Sequence, residues 1–117
     1  MTARTLYGIP NCDTVKKARN WLADNGIEFN FHDYKKAGVP VYALERWVDE
    51  HGWEVVLNKA GTTFRNLAAD EKMGINTEKA VSLMMHYPSL IKRPILSLGD
   101  GKTLVGFKPD AYAKQFT

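Results

Sequence analysis

Polar and apolar positions along this chain change their period several times, and each change marks an element. Residues Arg4 to Ile9 are apolar enough to predict a short buried strand. Val15, Ala18 and Leu22 then recur at helical spacing, and Asn25-Gly26 supplies the glycine expected just past a helix end. Ile27, Phe29 and Phe31 alternate with Glu28, Asn30 and His32, which predicts a second strand. A strand–helix–strand of this length predicts parallel strands with a right-handed crossover.

The middle of the chain has a different character. Lys36-Ala37-Gly38-Val39-Pro40 reads as a loop, followed by a helix carrying Val41, Leu44, Trp47 and Val48 on one face and ended by Gly52. A second loop, Asn58-Lys59-Ala60-Gly61, leads into a short helix after Thr62-Thr63. A longer helix is predicted from Thr77, with Glu78 in its first turn and Val81, Met84 and Met85 inward. Its methionines are read as core packing.

Strand periods return in the last third. Ile95 to Leu98, the turn Gly99-Asp100-Gly101-Lys102, and Thr103 to Phe107 predict a hairpin. Pro109 opens a short terminal helix at the position proline tolerates best. The order is β-α-β, a block of helices, then β-β-α. That is an α/β, thioredoxin-like arrangement with an inserted helical segment. Residues 1–117 are expected to form one domain, with 1–34 and 92–117 as the thioredoxin-like part and 35–91 as the insertion.

Composition narrows the class further. A chain of 117 residues with 44% hydrophobic and 25% charged residues is ordinary for a soluble globular domain. No apolar run approaches membrane-spanning length, and the first residues lack the apolar stretch of a signal peptide. The single cysteine forms no internal disulfide, so a cytoplasmic location is expected. A formal charge of +3, spread over scattered basic pairs, is compatible with an anionic ligand but does not point to direct nucleic-acid binding. No apolar stretch argues for a dimer, so a monomer is the default.

The cysteine carries the chemistry. Cys12 follows the first strand and opens the first helix within Pro10-Asn11-Cys12-Asp13-Thr14. Amides at a helix start, together with the helix dipole, favour the thiolate, which is the nucleophilic form. Lys16 adds a cation about one turn on. A lone cysteine can also be a small buried hydrophobe, but a polar turn is rarely deep in a core.

Arg93-Pro94 precedes the hairpin. In a thioredoxin-like fold that proline is cis and its loop faces the cysteine. Arg93 then supplies a fixed cation for the thiolate, or for a bound carboxylate or oxyanion. Position 15, where a two-cysteine site would carry its partner, is Val15. Any adduct on Cys12 must therefore be resolved by an external thiol, for which glutathione is the obvious source. No bound cofactor is expected. His32, His51 and His86 lack zinc-site spacing, so no metal is expected either. Lys59-Ala60-Gly61-Thr62-Thr63 lacks the glycine–lysine–serine/threonine order of a phosphate loop.

Three segments together resemble the ArsC family: Asn11-Cys12-Asp13-Thr14-Val15-Lys16-Lys17-Ala18, Asn58-Lys59-Ala60-Gly61-Thr62-Thr63-Phe64-Arg65, and His86 to Ile95. This family holds glutaredoxin-coupled arsenate reductases, Spx-type transcriptional regulators and YffB-type proteins, and the YffB branch is the nearest in pattern. The resemblance implies a thioredoxin-like fold, with Cys12 as nucleophile and Arg93 as the arginine before the cis-proline. Two further arginines surround arsenate in the reductases, and their positions here hold Asn58 and Lys108. Lysine cannot give arginine's bidentate fork. Loss of one charge-assisted contact costs about 1.5–3 kcal/mol, at least tenfold in binding. The expectation is thus a glutathione-dependent thiol reductase working through a Cys12–glutathione mixed disulfide. Asn11, Lys16, Arg65, Pro94 and Lys108 are the expected glutathione or anion contacts. The alternatives are a glutaredoxin-coupled arsenate reductase and an Spx-like regulator binding RNA polymerase.

Overall fold

The computed structural model describes residues 3–117. In chain order its elements are β1 (Thr5–Gly8), α1 (Asp13–Asp24), β2 (Asn30–Asp33), α2 (Tyr34–Ala37), α3 (Val41–His51) and α4 (Trp53–Val56). They are followed by α5 (Thr62–Arg65), α6 (Ala69–Lys72), α7 (Thr77–His86), β3 (Ile95–Ser97), β4 (Thr103–Val105) and α8 (Pro109–Gln115). Two compact units result. One joins the described residues up to Ala37 with Arg93–Thr117, and the other is Gly38–Lys92.

The first unit is built on a four-stranded sheet of order β2-β1-β3-β4. β1 and β2 are parallel, as the strand–helix–strand pattern requires, while β1–β3 and β3–β4 are antiparallel. The register aligns Phe31, Leu6, Leu96 and Leu104 in one row across all four strands. Ala18 and Leu22 of α1 and Tyr112 of α8 pack against that row. Leu6, Leu22 and Leu96 are fully buried, each contributing about 1.5–3 kcal/mol. Alternation along β1 leaves Tyr7 on the other face, where its ring lies 5.0 Å from that of His32.

The helical spacing of Val15, Ala18 and Leu22 is realised as the buried stripe of α1. Gly26 follows it at φ 68°, a conformation that favours glycine. β2 starts later than the alternation suggested. The Ile27 amide bonds back to the Leu22 carbonyl at 2.9 Å, so the chain is still closing α1 there. Pairing with β1 begins only at Asn30, while Ile27 and Phe29 stay packed on the core.

In the second unit α3, α4 and α7 pack together. The buried residues of α3 are Ala43, Leu44, Trp47 and Val48. Val41 is exposed instead, because it lies at the very start of α3, ahead of the buried stripe. In α7 the stripe is Ala80, Leu83 and Met84, which turns Met85 outward and corrects its inward assignment. The one-turn helices α2, α4 and α6 were not visible as periodicity, since four residues are too few to show a 3.6-residue repeat. An antiparallel bridge joins Leu57 to Ile91, flanked by Asn58 N–H to Leu90 O at 2.7 Å and Lys92 N–H to Val56 O at 2.9 Å.

Tyr112 carries a local fault in the core of the first unit. Its ring meets Trp21 and Phe107 edge-on, at 5.6 and 4.7 Å, but its buried hydroxyl has no hydrogen-bond partner among the described residues. Tyr112→Phe removes an unpaid desolvation cost, so stability should hold or rise, by up to about 1–2 kcal/mol. Thermal unfolding checks this, and a clear fall in melting temperature would show that the hydroxyl is satisfied.

Candidate thiol site

Three chain segments end at one edge of the sheet in the first unit. β1 and β2 run parallel with Gly8 opposite Asp33, so the turn after β1 and the residue after β2 emerge side by side. β3 runs antiparallel to β1 with Ile95 opposite Tyr7, which brings Arg93-Pro94 to the same edge. These segments carry Cys12, Tyr34 and Arg93.

Cys12 occupies the N-cap position of α1 in extended conformation, and it is partly exposed. Its amide donates to Ile9 O at 3.2 Å and its carbonyl accepts from Lys16 N–H at 2.9 Å, which ties the turn to the first helical bond. The thiol closes no conventional capping bond. The Val15 and Thr14 amides nevertheless act on the sulfur, and Arg93 donates to it. Partial burial pushes the Cys12 thiol up, but the Val15 amide, the Arg93 hydrogen bond, the Thr14 amide and the Arg93 charge together outweigh it. The net effect holds Cys12 below the ordinary thiol value. A favoured thiolate is a competent nucleophile.

Arg93 is half-buried and hydrogen-bonds to both Cys12 and Tyr34. Burial works against its charge, and these two partners more than restore it. The Arg93-Pro94 peptide is cis, as the fold reading required. Pro94 is buried, and its carbonyl accepts from Gly106 N–H at 2.8 Å.

The remaining expected contacts belong to both units. Asn11 and Lys16 are exposed beside Cys12 in sequence, and Lys108 is exposed at the residue before α8. Arg65 belongs to the second unit, where its guanidinium donates to Ala60 O at 2.9 Å and Thr62 Oγ1 at 3.2 Å. It braces its own turn. Asn58 likewise accepts from Ala60 N–H at 3.1 Å through Oδ1. Val15 is fully buried, and a Cβ on Gly8 would lie 2.9 Å from its Cγ2. The place of a second thiol is thus filled by a close strand–helix contact.

Tyr34 was missed from sequence. It is fully buried directly after β2, and the only signal was a tyrosine whose hydroxyl needs a partner once buried. Among the described residues no cluster of three or more His, Cys, Asp or Glu could hold a metal, and no helix is long and apolar enough to cross a membrane.

The ArsC family profile matches residues 7–115. A solved structure named YffB (PA3664) is 53% identical and superposes with a TM-score of 0.95, covering 98% of this chain and 100% of that one. The solution structure of an arsenate reductase (ArsC) related protein from Brucella melitensis is 50% identical, with a TM-score of 0.76 and coverage of 98% and 95%. At greater distance, the global transcriptional regulator Spx 1 of Lactococcus lactis is 30% identical over 109 residues, 90% of this chain and 82% of that protein. The chain belongs to the ArsC family.

The lowered Cys12 value has a pH signature. The thiolate fraction rises with pH, so a depressed midpoint makes alkylation at neutral pH faster than for a free thiol. The alkylation-rate profile should have its midpoint below about 8.5. Arg93→Ala should move it up by about 1–2 units, the equivalent of one charge-assisted hydrogen bond. An unchanged midpoint in that variant would remove Arg93 from the site.

Proposed function

We propose that this ArsC-family protein is a glutathione-dependent thiol reductase working through one cysteine. The observation that carries the reading is a partly exposed Cys12 whose thiolate is favoured by two helix-start amides and Arg93. Val15, buried where a resolving thiol would stand, supports a one-cysteine cycle.

In the forward step the Cys12 thiolate attacks the glutathione sulfur of a mixed disulfide. The disulfide bond breaks, the substrate sulfur leaves as thiolate and takes a proton from water, and glutathione is now bonded to Cys12. A second glutathione thiolate attacks the glutathione sulfur of that adduct. Glutathione disulfide leaves, and the electron pair of the broken bond returns to Cys12. In both steps thiolate reactivity and leaving-group acidity govern the rate. Arg93 favours the second step by stabilising the departing Cys12 thiolate, and it is also a suitable anchor for a glutathione carboxylate. Buried Pro94 leaves neighbouring backbone to meet an extended, peptide-like ligand, while Asn11, Lys16 and Lys108 add polar and positive surface.

A disulfide fits these residues better than arsenate. Of the two extra arginine positions of the arsenate reductases, one holds uncharged Asn58, whose Oδ1 is engaged in its own turn, and the other holds Lys108. Glutathione-dependent reduction of a small glutathione mixed disulfide should fall to background in Cys12→Ser, with melting temperature preserved. Undiminished turnover in that variant would end the enzyme reading. Arsenate reduction supported by added glutaredoxin at a comparable rate would move the assignment to the other reductase class.

A further inference from the structure

The Arg93 guanidinium has donors only, five of them in a rigid fork. Where it meets Tyr34, the phenol oxygen must therefore be the acceptor. That oxygen belongs to a fully buried side chain, so water does not compete for it. The backbone around it is also tied down. Asp33 Oδ1 accepts from the Lys35 and Lys36 amides at 3.1 and 3.2 Å, which caps α2 and fixes its first residue, Tyr34. Asp33 in turn pairs with Gly8 of the strand that leads to Cys12.

We infer that Tyr34 is a positioning residue, its buried phenol oxygen holding the Arg93 guanidinium so that another N–H of the fork faces the Cys12 sulfur. The inference rests on the reading of Cys12 as the reactive thiolate. The choice of side chain has a chemical logic. Burial pushes the Tyr34 hydroxyl up, against the pull of the Arg93 hydrogen bond and charge, with Cys12 and Asp33 adding to the rise. Arg93, Cys12 and Asp33 are the charged or titratable groups acting on it, and all favour or leave intact a neutral phenol at physiological pH except Arg93. A carboxylate at this place would orient the guanidinium but also neutralise it. A neutral phenol orients the cation and leaves its charge for the sulfur.

Tyr34→Phe tests this, since it keeps the ring and removes only the acceptor. Cys12 is the only thiol, so alkylation reads one site. Rate-against-pH profiles are measured for the unchanged protein, Tyr34→Phe, Arg93→Ala and the double variant, with thermal unfolding of each. The expected result is an upward midpoint shift of about half a unit or more in Tyr34→Phe, about threefold less thiolate at neutral pH, matching the loss of one neutral hydrogen bond. In the Arg93→Ala background the same change should add nothing, because Tyr34 acts only through the guanidinium. An unshifted Tyr34→Phe profile overturns the inference while leaving the thiolate reading in place. So does an equal shift with and without Arg93, which is what a merely structural role would give. A midpoint at or above the free-thiol value in the unchanged protein overturns both.

Discussion

Three donors meeting at one sulfur, the Val15 and Thr14 amides and the Arg93 guanidinium, are the constraint on which this site depends. Charge in a partly buried place is costly unless donors are already in position. Here the donors come from two sources that do not move independently. The Val15 and Thr14 amides belong to a helix start, whose orphan N–H groups exist whatever side chain precedes them. The third donor is a side chain on a different segment, delivered by the turn before β3. Because β3 pairs with β1, and β1 leads directly to Cys12, the sheet register itself sets the meeting of cation and sulfur.

That register also explains why the core is economical. One row of apolar residues crosses all four strands and takes α1 and α8 on a single face. The same α1 that seals this face presents its N-terminus to the thiol. Gly8 lets β1 and α1 approach closely, with Val15 filling the gap. Packing and chemistry therefore share residues: the side chain of Val15 is core, while its amide supports the thiolate.

Much of this was legible in sequence. Helical spacing located α1, α3 and α7, an apolar run located β1, turn residues located the β3–β4 hairpin and Pro109 the start of α8, and Cys12 between a strand and a helix announced its own environment. The cis Arg93-Pro94 bond followed from fold, not from composition. What failed to show had physical reasons. Val41 precedes the buried turns of α3, and Met85 sits off the buried stripe of α7, because hydrophobicity alone gives neither where a buried face begins nor its angular position. Tyr34 was silent because its role depends on a partner 59 positions later in the chain, a pairing no local pattern encodes. The two hydrogen bonds by which Arg65 braces its own turn were equally silent, because no periodicity encodes a side chain folding back on nearby backbone.

The central claim is that a single ionised sulfur accepts glutathione and gives it back. Intact-mass spectrometry of the protein after glutathione disulfide treatment, and again after reduced glutathione, addresses it directly. The account predicts one glutathione adduct, mapped to Cys12, that forms near neutral pH and is fully released by the thiol. A protein that stays unmodified under those conditions, or an adduct that reduced glutathione cannot remove, would contradict it.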